Sequence, residues 1–416
     1  MTAATLTLQD VLRRGRVRTA GALFGPAFVA SVAYVDPGNF ATNFAGGAAH
    51  GYQLVWVIVM ANLMAIVVQY LTSKAGLATG RSLPELCRDR FGRRANVVLW
   101  LQAEVVAMAT DLAEFVGAAV GLNLVFGLPL LPAGLITAVV AFAVLGLEQR
   151  GHRRFELAII ALLALVGAGF LYVFLVAGNQ RYGQLAAGVV PHLGGSDQLS
   201  LTVGIIGATV MPHVVYLHSA LQKDRIRAAD GSERQTLLSY NKWDCIIGLG
   251  IAGAVNLSML CIAAAMFRAP AVGGLDSIHA HLGQLVGGGA ALAFGVALMA
   301  SGLSSSSVGT YAGQIVMAGF MNWRIPLLVR RTLTMLPSLL VLALSADTSQ
   351  ALVLSQVVLS FGIPFALVPL LLITRDHQVM GDMTNRRLTS ATMLVITVVI
   401  GGLNAYLLWD AVGLRI

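Results

Sequence analysis

Apolar stretches of about 20 residues recur from one end of this 416-residue chain to the other. In helical form, a stretch of that length crosses the hydrocarbon core of a bilayer, which is about 30 Å thick. The composition agrees, because 57% of the residues are hydrophobic, only 11% are charged, and the mean hydropathy is +0.79. A soluble domain carries about 25% charged residues. The sequence therefore predicts an all-α polytopic membrane protein, and it excludes a soluble enzyme, a coiled coil and a disordered regulator.

Eleven windows are long and apolar enough to be transmembrane helices. They are Ala20–Gly47, Gln53–Thr72, Ala95–Phe126, Leu130–Leu147, Phe155–Ala177, Leu199–Leu221, Trp243–Met266, Gly289–Phe320, Leu327–Leu344, Ala351–Thr374 and Leu388–Leu408. The loops between them are too short for a separate soluble domain. We therefore expect a single membrane domain over residues 1–416.

Basic residues indicate how the chain is oriented in the membrane. If the N-terminus is cytoplasmic, 24 of the 27 Lys and Arg residues fall in cytoplasmic stretches, and only Arg181, Arg268 and Arg415 fall on the opposite side. Lys and Arg beside membrane helices concentrate on the cytoplasmic side. The sequence predicts a cytoplasmic N-terminus and an extracytoplasmic C-terminus. The basic residues behind the net charge of +8 thus mark the cytoplasmic side and do not indicate nucleic acid as a partner.

The first and sixth windows are interrupted at corresponding places. The first contains Asp-Pro-Gly-Asn at positions 36–39, and the sixth contains Gly-Ala-Thr-Val-Met-Pro-His at positions 207–213. Proline removes a backbone donor and clashes with the preceding turn, so both helices should unwind in mid-membrane and free several carbonyls. The windows are five apart, which predicts two inverted five-helix repeats, residues 20–177 and 199–374, followed by an eleventh helix at 388–408. Broken helices at equivalent points of such repeats are typical of a transporter's binding site.

The two interruptions offer an unusual set of ligands. Asp36 supplies an anionic oxygen, Asn39 an amide oxygen and Met211 a thioether. Mg²⁺ and Ca²⁺ prefer oxygen, whereas sulfur favours softer ions, so the set indicates a divalent transition metal. Met211 alone could be a packing residue, and Asn39 could only cap the second half-helix. A carboxylate inside a membrane is costly and indicates function, which makes Asp36 the strongest candidate.

The paired motifs resemble the signature of the Nramp family of proton-coupled divalent metal transporters, and the resemblance extends over nearly the whole chain. It implies a LeuT-like fold and a symporter of the bacterial inner (plasma) membrane that imports Mn²⁺, Fe²⁺ and similar ions with protons. It implies no permanent cofactor and no partner besides the metal, protons and the lipid bilayer, and a monomer is compatible with it. The metal ligands that it implies are Asp36, Asn39 and Met211 through side chains, Ala33 and Ala208 through carbonyls, and Gln356 in some conformations.

Three acidic residues in the third window are candidates for a proton route. Glu104, Asp111 and Glu114 fall within about 80° of one another on one helix face. They could form a structural salt-bridge cluster, or they could relay protons, since buried carboxylates exchange protons near neutral pH. We favour the relay. The family resemblance assigns Asp111 and Glu114 to such a route, with Glu104 as a weaker candidate, together with the basic residues Arg225, Arg330 and Arg331.

His213 directly follows Pro212 in the interrupted sixth window. Imidazole titrates in the physiological range, so we expect His213 to tune protonation near Asp36 without binding the metal. A proton displaced from Asp36, or delivered beside it, would leave along the face that carries Asp111 and Glu114.

Other functions remain open from the sequence. A LeuT-like symporter for amino acids or coupled to Na⁺ could use the same unwound helices, and a metal-sensing receptor is a rival of another class. The sequence contains no Walker motif or other sign of ATP as the energy source. We therefore expect an ion gradient to drive transport and no enzymatic activity. The sequence does not rank Mn²⁺ against Fe²⁺, Co²⁺ or Cd²⁺.

Overall fold

The structure is a computed structural model, and it describes residues 6–13, 23–149, 152–178, 180–192, 194–223, 225–227, 231–267, 274–323, 325–344 and 347–411. Residues 20–22 at the start of the first window, and the Arg268 and Arg415 of the orientation argument, lie outside this part. The side chain of Arg331 also lies outside it.

The described residues form eighteen α-helices, two short strands and two 3₁₀ turns, at Gly51–Leu54 and Gly381–Met383. In chain order they are β1 (Leu6–Thr7), α1 (Leu8–Leu12), α2 (Pro26–Ala33), α3 (Pro37–His50), α4 (Val55–Thr79), α5 (Leu83–Arg90), α6 (Arg93–Phe126), α7 (Leu130–Gln149), α8 (His152–Ala177), α9 (Tyr182–Ala187), α10 (Ser196–Thr209), α11 (Pro212–Gln222), β2 (Ile226–Arg227), α12 (Gly231–Met266), α13 (Leu275–Leu285), α14 (Gly288–Met321), α15 (Leu327–Ala343), α16 (Thr348–Thr374), α17 (His377–Met380) and α18 (Arg387–Ala411).

Every predicted window is helical over most of the length that the structure describes. Among the described residues, eight helical stretches are long and apolar enough to cross a membrane, and two shorter apolar stretches lie in α7 and α15. This confirms the predicted all-α polytopic class. The number of eleven crossings stays a prediction, as does the division of the chain into two repeats and an eleventh helix.

The two predicted interruptions are present, and each stands at a proline. The first window divides into α2, which ends at Ala33, and α3, which begins at Pro37. The sixth divides into α10, which ends at Thr209, and α11, which begins at Pro212. Proline fits the first position of a helix, where no backbone donor is needed, so each proline ends one half-helix and begins the next.

Small residues bring α6 and α14 close together behind the interruptions. A Cβ atom added at Gly302 of α14 would lie 2.6 Å from the backbone nitrogen of Ala118 in α6. One added at Gly121 of α6 would lie 2.6 Å from the backbone nitrogen of Met299. Such contacts let two membrane helices pack backbone to backbone, and they make this pair a rigid support for the site.

The N-terminal segment packs against the connection between α11 and α12, which the sequence did not indicate. Strand β1 pairs in parallel with β2 over two residues each. Leu8 and Val11 of α1 are buried in a small apolar cluster with Leu23, Ile226 and Leu237. The segment therefore lies on the predicted cytoplasmic side, and the strand pair is a small addition to an otherwise helical fold.

Candidate functional site

Asp36 caps the half-helix α3 and holds Asn39 in place. Its Oδ1 accepts hydrogen bonds from the backbone nitrogen of Asn39 at 2.8 Å and from the Asn39 side chain at 2.7 Å. Because Pro37 has no N–H group, the carbonyl of Ala33 loses the donor that a continuous helix would supply four residues later. The first interruption thus combines a carboxylate, an amide and a carbonyl without its helical partner.

The second interruption has the same backbone logic and touches the first. Pro212 stands four residues after Ala208, so the carbonyl of Ala208 also loses its helical donor. That carbonyl accepts a hydrogen bond from Nδ2 of Asn39 at 3.0 Å, which joins the two broken helices. Met211 immediately precedes Pro212 in extended backbone, and its side chain is fully buried.

Three buried oxygens at this junction accept no hydrogen bond from any residue that the structure describes. They are Asp36 Oδ2, Asn39 Oδ1 and Gln356 Oε1. Gln356, from α16, packs directly on Gly38, where an added Cβ would lie 1.8 Å from Nε2. Buried acceptors are almost always paired with a donor or a cation, so these three oxygens are candidate ligands for a cation. The junction brings together Asp36, Asn39, Ala208 and Gln356 of the predicted set, and their role as ligands stays a prediction.

The ligand set around the junction differs from that of a closed structural metal site. Among the residues that the structure describes, no group of three or more His, Cys, Asp and Glu side chains could hold a metal ion. Structural zinc sites are built from four such ligands. A single carboxylate among neutral groups binds a cation more weakly, which suits an ion that must leave again.

Gly207 of α10 is needed for the close approach of α10 and α16. An added Cβ would lie 2.1 Å from the backbone oxygen of Gln356, and backbone cannot move aside as a flexible side chain can. We expect Gly207→Ala to destabilise the fold by about 1–3 kcal/mol, as overpacking does, and to lower Tm in thermal unfolding of the detergent-solubilised chain. Gly250→Ala is the control, because its Cβ would meet no atom within 4 Å. Equal Tm values for the two variants would contradict the prediction.

The predicted acidic face of α6 lies against α14 and α15. Asp111 and Glu114 are buried, and a Cβ added at Gly309 of α14 would lie 2.7 Å from the Glu114 carboxylate. Glu104 forms an ion pair with Arg330 of α15, with 3.1 Å between Oε2 and Nη2. Two buried acids and the partly buried Glu104 therefore lie along α6, and Glu104 meets a buried guanidinium. Both of the functions considered for it, relay and salt-bridge cluster, fit this arrangement.

His213 connects the interruption in the sixth window to that acidic face. Its Nδ1 lies 3.1 Å from the hydroxyl oxygen of Thr110, the residue before Asp111 in α6. Its other ring nitrogen is buried and has no hydrogen-bond partner among the residues described. His213 thus stands between the candidate metal ligands and the acidic face.

Arg225 lies at the predicted cytoplasmic end of α2, where it contacts Glu156 of α8. The two side chains form an ion pair, and Arg225 also donates to the carbonyl of Phe24 at 3.4 Å. Arg153 donates to the same Glu156 carboxylate at 2.8 Å. The sequence predicted Arg225 beside the acids of α6, and nothing in it singled out Glu156, a single acid at the start of an apolar window.

Asp244 of α12 fixes the start of α2 from another side. Its carboxylate accepts hydrogen bonds from the backbone nitrogens of Gly25 at 3.1 Å and of Ala27 at 2.9 Å. These are the donors that the first turn of a helix leaves unpaired. Together with the Arg225–Glu156 ion pair, this cap holds the half-helix α2 against α8 and α12.

A second polar network crosses the predicted cytoplasmic half of the protein. Gln69 of α4 donates to the hydroxyl of Tyr34 at 2.5 Å, and its Oε1 lies 2.8 Å from Nδ1 of His218 in α11. All three side chains are buried. This network was not predicted from the sequence, although an amide within an apolar window is itself a sign of function.

A cavity lies on the opposite, predicted extracytoplasmic side of the interruptions. It has a volume of about 730 Å³ and is lined by residues of α3, α10, α13 and α16, among them Val357, the neighbour of Gln356. Asp347, one of the lining residues, caps α16 by accepting from two backbone nitrogens. Burial raises the pKa of nearby Asp276. His279 lowers this pKa, and the charge of Asp347 raises it further. The cavity opens toward the predicted extracytoplasmic side, while bonded side chains close the cytoplasmic end of α2.

Two helices that are each interrupted at a proline and contact each other at the interruptions fit a LeuT-like membrane protein. In agreement, the structure matches Mhp1, a transporter of the nucleobase-cation-symport-1 family, with a TM-score of 0.62 at 15% identity over 92% of each chain, which shows the shared fold. The family described as "Natural resistance-associated macrophage protein-like" matches residues 27–410. The chain belongs to this Nramp family, which confirms the resemblance predicted from the two motifs.

Individual relatives are similar over almost the whole chain. The divalent metal cation transporter MntH of Deinococcus radiodurans is 49% identical over 413 residues, which cover 99% of this chain and 94% of that protein. A crystal structure of a variant of the Eremococcus coleocola manganese transporter matches with a TM-score of 0.86 at 30% identity. That match covers 99% of this chain and 93% of the Eremococcus chain.

Proposed function

We propose that this chain is a symporter that imports divalent transition-metal ions, Mn²⁺, Fe²⁺ and similar ions, together with protons, and that it is not an enzyme. The names of its relatives, a divalent metal cation transporter and a manganese transporter, support the metal as cargo. The observation that carries the proposal is the junction of the two interruptions, where three buried oxygens have no donor among the described residues.

The transported ion would be bound by side chains and carbonyls from both interruptions. Asn39 directs both hydrogens of its amide, to Asp36 and to Ala208, and so leaves its Oδ1 for a cation. The Asp36 carboxylate would supply the charge. The thioether of Met211 would favour a soft ion over Ca²⁺ and Mg²⁺. The carbonyls of Ala33 and Ala208 and the side chain of Gln356 would complete the ligand set.

Protons would move from the metal site toward the cytoplasm along α6. Support comes from His213, whose ring contacts Thr110 beside the buried carboxylate of Asp111. In the proposed order a proton passes from Asp36 to the neighbourhood of His213 and on to Asp111 and Glu114. The charged groups nearer the cytoplasm, Glu104, Arg330, Arg331 and Arg225, would assist its release.

Alternating access fits the contrast between the two sides of the site. The cavity of about 730 Å³ would admit the ion from outside, while Asp244 and the Arg225–Glu156 ion pair keep α2 in place. Release would require these bonds to break and α2 to swing away. The protein would act in the bacterial inner membrane as a monomer among lipids, with its N-terminus in the cytoplasm, and would bind no nucleic acid.

Uptake into sealed proteoliposomes tests proton coupling. We expect the wild type to accumulate Mn²⁺ faster when the outside is acidic, because protons enter with the metal. Glu114→Gln should still bind Mn²⁺, but the acceleration of uptake by external acid should fall about tenfold. A positioned proton-transfer group contributes at least that much to a rate. Glu233→Gln, which removes an acid at the start of α12, is the control.

Two results would contradict the coupling. Uptake that is equal with and without a pH gradient would show that metal moves without protons. Uptake that depends on a Na⁺ gradient, or transport of an amino acid and no metal, would favour the rival function, a LeuT-like symporter for amino acids or coupled to Na⁺.

A further inference from the structure

Two carbonyls of the unwound segment between α2 and α3 accept hydrogen bonds from side chains of other helices. The carbonyl of Tyr34 accepts from Nδ2 of Asn256 in α12 at 2.7 Å. The carbonyl of Val35, one residue before Asp36, accepts from the hydroxyl of Ser301 in α14 at 2.5 Å. Both donors are buried, and each comes from a helix more than 200 residues away along the chain.

The interruption itself creates the need for these donors. In a continuous helix the carbonyl of Val35 would accept from the backbone nitrogen of Asn39. That nitrogen is instead bound to Oδ1 of Asp36, which caps α3. A buried carbonyl left without a donor costs about 1–3 kcal/mol. Ser301 therefore replaces the donor that the cap takes from Val35, and Ser301 and Asn256 together tie the unwound segment to α14 and α12.

Neighbouring serines in α14 show that this contact is not a general property of the helix. The hydroxyl of Ser304 donates to the carbonyl of Ala300, and the hydroxyl of Ser305 donates to the carbonyl of Ser301, each at 2.7 Å. Both therefore bond within their own helix, as buried serines commonly do. Ser301 differs because its hydroxyl reaches the unwound segment.

The amide of Asn256 is held in the orientation that this contact needs. Asn43 of α3 donates to its Oδ1 at 3.0 Å, so the NH₂ group of Asn256 faces Tyr34. The chain of contacts runs from α3 through Asn43 and Asn256 back to Tyr34, the residue that follows the end of α2. The two half-helices are thus linked through α12 as well as through their own backbone.

We propose that Ser301 and Asn256 form a carbonyl clamp, a pair of positioning residues that fixes the unwound segment and thereby sets the position of the Asp36 carboxylate for the metal. This inference rests on the proposed function. Neither residue forms a hydrogen bond with Asp36 Oδ2, Asn39 Oδ1 or Gln356 Oε1. The clamp would therefore affect the affinity for the ion indirectly, through the position of the Asp36 carboxylate. A ligand held by a fixed backbone binds more tightly than one that must first be ordered.

The test compares two serine variants of the full-length chain. Mn²⁺ binding is measured by calorimetry in detergent, and KM and the maximal rate are measured by uptake into proteoliposomes. We expect Ser301→Ala to raise Kd and KM about tenfold, equivalent to ~1.4 kcal/mol, with a smaller change in maximal rate. Ser305→Ala, a buried hydroxyl on the same helix, should change both constants less than twofold. Ser301→Thr, which keeps a hydroxyl, should restore most of the affinity.

Each outcome decides between the alternatives. If Ser301→Ala and Ser305→Ala have the same Kd while the wild type binds Mn²⁺, the clamp is overturned and the proposed function stands. If Ser301→Ala fails to fold, Asn256→Ala removes the second donor and should raise Kd by a similar factor, and an unchanged Kd overturns the clamp. A wild type that binds no Mn²⁺ overturns the proposed function and the clamp with it.

Discussion

Replacement of Asp36 with alanine is expected to abolish metal uptake. The carboxylate is the one anionic group among the proposed ligands, and its Oδ2 is buried without a donor in the described part of the chain. Removal of groups that merely orient a metal ligand lowers metal affinity about 10–100-fold, so loss of the charged ligand itself should cost at least about 100-fold. Calorimetric titration with Mn²⁺ and uptake into proteoliposomes would measure the two effects.

A matched variant separates the charge of Asp36 from its structural role. Asp36 also caps α3, and loss of a helix cap by itself destabilises a protein by about 1 kcal/mol. Asp36→Asn keeps an oxygen for the cap and removes only the charge. We expect Asp36→Asn and Asp36→Ala to lose Mn²⁺ binding to the same extent. The Tm of Asp36→Asn should be closer to that of the wild type. Retention of near-normal Mn²⁺ affinity by Asp36→Asn would show that the carboxylate does not bind the ion.

The membrane class and the interruptions could be predicted because both depend on local sequence. Hydropathy over about 20 residues places a helix in the membrane whatever it packs against. Proline at 37 and at 212 ends a helix for reasons that lie within one turn of the chain. The predicted bounds were less accurate where a helix continues beyond the bilayer. The seventh window began at Trp243, whereas α12 begins at Gly231, because about the first three turns of the helix are mostly polar and carry no hydropathy signal.

The supporting contacts of the site could not be predicted, because they depend on which helices are neighbours. Ser301 occurs in an apolar window like many packing residues, and only the approach of α14 to the unwound segment gives its hydroxyl a distant carbonyl. The same holds for Arg225, whose partner Glu156 became evident only from the position of α8. Asp36 and Asn39 could be identified because a carboxylate and an amide beside a mid-membrane proline are unusual in themselves. Their significance does not depend on which helices pack around them.

Replacement of Met211 with alanine is expected to change which ions the protein transports. Sulfur binds soft, polarisable ions and offers little to Ca²⁺ and Mg²⁺, which take oxygen ligands. The side chain is fully buried at the start of α11, three residues after the Ala208 carbonyl that contacts Asn39. If its thioether selects the metal, Met211→Ala should weaken Cd²⁺ and Mn²⁺ uptake and permit Ca²⁺ or Mg²⁺ uptake that the wild type excludes. We expect the ratio of Cd²⁺ to Ca²⁺ uptake to fall about tenfold or more, equivalent to ~1.4 kcal/mol.

A second methionine controls for the loss of volume. Met259 of α12 is also fully buried, and its sulfur lies 3.8 Å from the amide nitrogen of Asn43, on a different helix from the proposed ligand. Both alanine variants create a cavity and should lose stability, since truncation of a buried methionine costs about 2–5 kcal/mol. Only Met211→Ala should alter the order of ion preference, because only its sulfur would contact the ion. An equal change in the Cd²⁺ to Ca²⁺ ratio in both variants would assign the effect to packing, and an unchanged ratio in Met211→Ala would remove the thioether from the ligand set.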